Sequence, residues 1–371
     1  MSDKLRVLSF LSIILVIYIH MFYTEGTDMP GLNIVESFWG QGICLLAVPL
    51  FFVISRYLFF LRCPNGVNSI WPKIRKRGKT LLMPYLLMNT VALLFYIVLN
   101  LIIDRVSALS NVVNFRILQS MQEIGVGKAL LGFYWTDPVA FQLWFVRDLM
   151  VVVLFSPAIY YLLKYSVRNF AGMMGFLLVE AFLVWGNCFS GYFGAAFWFI
   201  AGGYLAMHPK IKPAKFETRM ETAILSVLLT IGFAVWNVIL PHQIFGWLIP
   251  AAGIIALWTL FDVLFKKKEN IFSARPILAF LCAYPFFVYL VHEPLLNILK
   301  KLPLLVSWSE YMLIAAYIIV PLLFYVLAAL LGKYLKGVFP KSYSVFTGQR
   351  RNSVAELSED DRQTVHEEWQ I

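Results

Sequence analysis

The chain has 371 residues, of which 60% are hydrophobic and 14% charged, and its mean hydropathy is +0.74. Soluble domains are about 45–50% apolar and about 25% charged, so both figures leave the soluble range in the same direction, and 16% aromatic residues exclude disorder over most of the length. Four cysteines exclude a disulfide scaffold; the net charge of +10 sits in short stretches between apolar runs with no nucleic-acid-binding motif beside it, so no nucleic-acid partner is expected.

Taken in chain order, ten apolar runs stand out, at 7–24, 38–61, 80–103, 142–163, 169–187, 190–207, 221–240, 244–265, 276–296 and 309–332. The first lacks a small-x-small cleavage site and is read as a membrane span, not as a cleaved signal. Each run approaches the roughly 20 residues of a helix that crosses a bilayer. None shows the alternating segments of about 10 residues that build a membrane barrel. The expected fold class is all-α, a polytopic transmembrane helix bundle of about ten helices over residues 1–339. A polar cytoplasmic tail over 340–371 carries Ser358, Glu359, Asp360 and Asp361.

Loop charge gives the orientation. Lys73, Arg75, Lys76, Arg77 and Lys79 follow the second run, and Lys164 and Arg168 the fourth. Lys210, Lys212, Lys215 and Arg219 follow the sixth, Lys266, Lys267 and Lys268 the eighth, and Lys333, Lys336 and Lys341 the tenth. The alternate loops carry Glu25, Asp28, Glu36, Asp104 and Asp137. Cytoplasmic loops are enriched in Lys and Arg, which puts both termini in the cytoplasm. Lys300 and Lys301, in the last external loop, are the exception. In the longest external loop, 104–141, the stretch Val112–Gly132 has the pattern of an amphipathic interfacial helix.

Ionisable side chains within spans cost about 2.5–3.5 kcal/mol each on insertion scales, so they usually face an interior cavity. Here they are His20, Arg56, Arg147, Asp148, Glu180, Asp262, His292 and Glu293. At about 1.5 Å per residue, His20 stands roughly 21 Å along its helix from Arg6, in the outer half. His292 and Glu293, then Gln142, Trp144, Arg147 and Asp148, then Glu180, reach a similar depth on three other spans. His20, in otherwise apolar surroundings, suits a general base, with an unperturbed pKa of about 6.5, for a hydroxyl attacking a thioester. It equally suits a histidine bonded to a neighbouring helix. His292 suits substrate binding or a simple interfacial position. Arg147 suits a carboxylate, phosphate or oxyanion, or an ion pair with Glu180 or Glu293. Asp148 is its chain neighbour, about 100° around the helix, so the two need not bond. Arg56 suits lipid headgroups or, with the basic run 73–79, the phosphates of a nucleotide-bearing donor. Asp262 is expected to pair with Lys266, four residues on. The histidines stand singly on separate helices, so no metal site is expected. Walker A, dinucleotide and Gly-x-Ser-x-Gly signatures are missing, so no permanently bound cofactor is expected.

Several segments together resemble the acyltransferase-3 family of bacterial integral membrane acyltransferases. They are Leu5-Arg6 leading to Ile19-His20; Phe51-Phe52-Val53-Ile54-Ser55; Lys76-Arg77 with Leu82, Pro84 and Tyr85; Leu143-Trp144-Phe145-Val146-Arg147-Asp148; and Tyr289-Leu290-Val291-His292-Glu293-Pro294. The likeness covers about residues 4–336. It implies transfer of an acyl group, usually acetyl, from cytoplasmic acyl-CoA to a hydroxyl of a surface carbohydrate or lipid-linked glycan, at the bacterial inner membrane. It implies His20 as the catalytic histidine, with Arg147 and His292 at family-typical positions, where one or the other is expected to stabilise the charge developing on the thioester carbonyl oxygen. Gln142, Trp144, Asp148, Glu180 and Glu293 are the expected substrate contacts. Arg6, Arg56, Lys73, Arg75, Lys76 and Arg77 are the expected contacts to the donor, Arg56 standing where the family commonly has glycine. A transporter of a polysaccharide or lipid-linked intermediate is the alternative, since intramembrane charges also line transport pathways.

Overall fold

A computed structural model describes residues 3–23, 28–60, 66–103, 117–166, 190–207, 220–242, 244–265, 271–306 and 308–348. Every regular element among them is helical. Helix α1 (Asp3–Ile19) is followed by α2 (Pro30–Trp39) and α3 (Ala47–Phe60), with a 3₁₀ turn at Ile43–Leu46 between the last two. Helix α4 (Ile70–Arg77) continues through a π-helical turn, Gly78–Leu82, into α5 (Met83–Ile103). Then come α6 (Ile117–Ile124), α7 (Val126–Leu131), α8 (Trp144–Leu154), α9 (Ser156–Ser166) and α10 (Ser190–Met207). Helices α11 (Met220–Ile239) and α12 (Phe245–Phe265) precede two short pieces, α13 (Ile271–Ala274) and α14 (Pro276–Leu281). The chain closes with α15 (Pro285–Leu299), α16 (Leu302–Val306), the long α17 (Glu310–Val338) and α18 (Pro340–Phe346).

Among the described residues, five segments are long and apolar enough to cross a bilayer: Pro30–Phe60, Val67–Ile102, Met220–Ile239, Phe245–Phe265 and Glu310–Val338. The remaining apolar runs differ for identifiable reasons. Helix α1 has 17 residues and α15 has 15. The run at 142–163 breaks at Phe155, two residues before Pro157, which has no N–H to continue the ladder. Gly191, Gly194, Gly202 and Gly203 dilute α10. The run at 169–187, with Glu180, lies outside the described residues. The expected interfacial helix is two pieces, α6 and α7, because Gly125 between them takes φ +84°; residues 104–116 lie outside the described residues.

Helix α1 is apolar all round, the pattern of a helix buried on every side. It packs against α3, α12, α15 and α17, and Leu8 and Ile17 are fully buried. Helices α5, α11 and α17 instead leave Leu94, Leu228 and Ile319 more than half exposed. Apolar exposure on that scale fits a lipid-facing surface. Where α10 crosses α3, a Cβ on Gly202 would stand 2.3 Å from the Val53 carbonyl oxygen, so glycine is what permits the approach.

Contacts fix which ends lie together. Phe10 meets Tyr325 at 5.0 Å and the Tyr18 hydroxyl donates to Ile318 O at 2.8 Å, so α1 and α17 run antiparallel. At the start of α1, Lys4 Nζ lies 2.7 Å from both carboxylate oxygens of Asp262, near the end of α12, and 3.8 Å over the Trp258 ring. Asp262 thus has a partner, Lys4, that the local i,i+4 expectation did not include. Lys4 is buried and needs a countercharge, whereas a helical i,i+4 pair is a weak, solvent-screened interaction; Lys266 lies outside the described residues.

At that same end α18 turns back from α17 and sets Tyr343 and Phe346 against Phe287, at 5.4 and 6.4 Å. Gly348, at φ +68°, then closes on Thr80, whose carbonyl oxygen would stand 2.3 Å from an added Cβ. The segment read from sequence as the start of a polar tail is thus a docked helix at 340–346, and residues 349–371 lie outside the described residues. At the opposite end, Glu310 Oε1 accepts from the N–H groups of Gly31 (2.6 Å) and Leu32 (3.0 Å), capping α2 from across the bundle behind Pro30 at its first turn. The start of α1 and the docked C-terminal helix therefore share one end, and the end of α1 belongs to the other.

Candidate active site

The site is built around a break in α15. Pro294 has no N–H for the Leu290 carbonyl and pushes the preceding residue out of the helical region, so Glu293 takes φ −104°, ψ 133°. The side-chain amide of Gln142 fills the gap: its Nε2 donates to Leu290 O at 3.0 Å and to Glu293 O at 3.1 Å. The Tyr289 hydroxyl returns a bond to Gln142 O at 2.5 Å. The turn that starts α8 is thereby bolted to the break, and His292 and Glu293 are held beside it.

His20 is the first residue beyond α1. Its ring centroid lies 5.3 Å from that of His292 and 5.8 Å from Phe141, which meets it edge-on. His292 is fully buried, and its Nδ1 lies 2.7 Å from Tyr289 O. A carbonyl only accepts, so the Nδ1 of a neutral His292 carries the proton and Nε2, buried with no hydrogen-bond partner among the described residues, is a bare acceptor. His20 opens onto a cavity of about 250 Å³, whose polar wall is Glu293, Asn297, Lys300 and Tyr96 and whose apolar wall includes Phe22 and Phe141. Asn297 Nδ2 donates to Glu293 Oε2. Lys300 Nζ donates to the His20 carbonyl at 3.2 Å, an oxygen that the end of α1 leaves without a helical donor. Beside it, burial and then the Lys300 charge push the Lys301 ammonium below its usual range.

The structure thus brings together His20, His292 and Glu293, which the sequence could place only at a common depth. Gln142 is adjacent, but both bonds of its amide nitrogen serve the broken helix. Arg147 does not line the cavity. Helical geometry leaves a bond between Arg147 and its neighbour open, and the structure makes one: Nε and Nη2 each lie 2.9 Å from Asp148 Oδ1, while Nη1 donates to the carbonyls of Trp135 (2.7 Å) and Thr136 (2.6 Å). Trp144 packs edge-on to Phe145 at 6.4 Å, also off the cavity. Glu180 lies outside the described residues.

The expected donor residues divide. Arg56 is fully buried, 3.1 Å over the Phe60 ring and 4.2 Å from Phe199, with Nη1 donating to Ser156 Oγ at 2.9 Å. Its neighbours place it inside the bundle, where it ties α3 to α9 and α10. Lys73 Nζ donates to Phe59 O at 2.7 Å, capping the end of α3. Arg6 stacks 4.0 Å over Phe272. Arg75 and Lys76 are exposed on α4 and Arg77 is half-buried; all three lie at the end of the bundle opposite His20.

Three polar cavity residues escaped the sequence reading of the site. Lys300 had a signal, as the cation that broke the loop-charge pattern. Asn297 had a weaker one, a polar residue one turn beyond Glu293. Tyr96 had none among the tyrosines of an aromatic-rich chain.

A family model described as an acyltransferase domain matches residues 3–332, nearly the whole chain. No curated protein and no solved structure matches.

Proposed function

The chain belongs to the acyltransferase-3 family, and on that premise we propose that it is a multi-pass membrane O-acyltransferase that moves an acetyl group from acetyl-CoA to a hydroxyl of a surface carbohydrate or lipid-linked glycan. The observation that carries this reading is His20 on the wall of a polar cavity, with the ring of the buried His292 5.3 Å behind it. A histidine packed in dry hydrocarbon would have no acceptor to deprotonate; His20 has access to one.

In this reading His20 is the general base. It takes the proton of the acceptor hydroxyl as the oxygen attacks the thioester carbonyl, and returns it to the departing CoA thiolate. His292 is a positioning residue: its ring lies 5.3 Å from that of His20, and its bare Nε2 is an acceptor. Glu293, Asn297 and Tyr96 offer acceptors and donors to sugar hydroxyls, and Phe22 and Phe141 offer aromatic faces. The proposed donor end is the opposite one, with the CoA phosphates on Arg75, Lys76 and Arg77. In this reading that end faces the cytoplasm of a bacterial cell, which the loop charge supports, and the cavity belongs to the outer half of the inner membrane.

The test measures CoA released from acetyl-CoA by the purified protein, and the surface glycans of expressing cells by mass spectrometry. His20→Ala is expected to lower release by about 10²–10⁴-fold, to erase the acetyl esters, and to leave the thermal unfolding midpoint unchanged. Undiminished acetylation by this variant overturns the assignment.

A further inference from the structure

Addition of a hydroxyl to a thioester places a full negative charge on the carbonyl oxygen, and stabilising that charge is usually the largest single contribution an acyl-transfer site makes. The other cationic and N–H groups named so far are engaged elsewhere. Arg147 is committed to Asp148, Trp135 O and Thr136 O and does not line the cavity. A neutral His292 has one N–H, and Tyr289 O takes it. Asn297 directs its amide nitrogen to Glu293. Arg56 is enclosed by Phe60 and Phe199.

Resting on the acyl-transfer reading, we propose that Lys300 is a further catalytic residue, its ammonium holding the oxyanion formed at the thioester carbonyl. Lys300 lines the same cavity as His20 and donates to the His20 carbonyl at 3.2 Å. An ammonium has three N–H donors, so that bond leaves two for the cavity. Its charge lies within electrostatic reach of the His20 ring and of Glu293. The placement also gives a reason for a cation in a loop where the positive-inside pattern disfavours one: the charge serves the cavity, and topology is set by the other loops.

The step balances without an outside reagent. The acceptor oxygen forms a C–O bond to the thioester carbon while its proton passes to the His20 ring. The carbonyl π electrons move onto the oxygen, where Lys300 meets them. Collapse re-forms the carbonyl, breaks the C–S bond and releases the CoA thiolate, which takes the proton back from His20.

The experiment follows CoA release by the purified full-length protein from acetyl-CoA, with cell-envelope polysaccharide as acceptor, for wild type, Lys300→Met, Lys300→Gln and Lys300→Arg. Loss of an oxyanion donor costs about 10²–10³-fold in kcat. Lys300→Met is expected to show that loss with KM for both substrates little changed, and Lys300→Arg to recover at least about tenfold of it. Lys300→Gln keeps an N–H for the His20 carbonyl without the charge, so it separates anchoring of α1 from catalysis. It is expected to unfold at the wild-type midpoint with kcat still depressed. Wild-type kcat in Lys300→Met or Lys300→Gln overturns the inference, as does a raised KM with kcat intact, which marks a ground-state contact. Wild-type protein that releases no CoA overturns the acyl-transfer reading itself, a result distinct from any of these.

Discussion

Gln142→Leu separates a structural pin from a substrate contact. In the sequence, a polar residue near the end of a span looks like a group waiting for ligand. In the structure, Gln142 is 1% exposed and its amide nitrogen serves two carbonyls, Leu290 O and Glu293 O. The first has no alternative within α15, because the residue four positions on is Pro294. A buried acceptor left without a donor costs about 1–3 kcal/mol, so losing both bonds destabilises the junction by about 2–6 kcal/mol. Leucine fills a similar volume, so cavity formation adds little. The assay is thermal unfolding in detergent, followed by tryptophan fluorescence, alongside CoA release. The expected result is a midpoint lower by several degrees together with a fall in kcat, since His292 and Glu293 lose their support. A wild-type midpoint with a raised KM for the acceptor would refute this reasoning and return Gln142 to the substrate.

Two further outcomes are expected. Asp262→Asn strands the Lys4 ammonium, whose side chain is 10% exposed against 29% for its partner; a fully buried pair broken this way costs about 3–5 kcal/mol, and partial hydration reduces that to about 1–3 kcal/mol, readable as a lower unfolding midpoint that adding Lys4→Met restores. Arg75→Ala with Lys76→Ala removes two exposed cations of α4; charge-assisted bonds are worth about 1.5–3 kcal/mol each, so KM for acetyl-CoA should rise about tenfold or more, while KM for acetyl-pantetheine, which has no nucleotide, stays put, and an equal effect on both donors would contradict phosphate recognition at this helix.

What could be read from the sequence was depth; angular position and neighbours could not. Helical rise places His20, His292 and Glu293 at one height from their residue numbers alone. That the first two meet at 5.3 Å depends on which helices neighbour α1, and this is set by long-range packing. Arg56 shows the cost of having depth alone. Its height fits a donor-facing cation, but its side chain points inward, between Phe60 and Phe199, where Gly203 of α10 leaves room beside Nε. The break in α15 was legible in principle, since Pro294 announces a free Leu290 carbonyl. Which residue supplies the donor was not, because Gln142 is far away in sequence and no local rule joins the two. Asp262 shows the same limit from another side: a local rule names Lys266, and no local rule points to Lys4, 258 positions away.

The two ends of α1 constrain how the proposed reaction can run. One end is tied by Lys4 to Asp262, the other by Lys300 to the His20 carbonyl, so the separation between them is set by helical rise, about 21 Å from Arg6 to His20. The cavity at His20 holds about 250 Å³, below the range of about 300–1,000 Å³ typical of ligand pockets. That volume suits the reacting ends of the proposed substrates, a thioester beside a sugar hydroxyl, better than a whole nucleotide-bearing donor. A donor held by its phosphates at Arg75 and Lys76 must therefore send its pantetheine arm along the bundle, with only the acyl end entering the cavity. In the proposed reaction it is then an extended chain, and not a charged cofactor, that would cross the bilayer. The adenine nucleotide, whose charges are the costly part to bury, stays at the end of the protein where Lys and Arg accumulate.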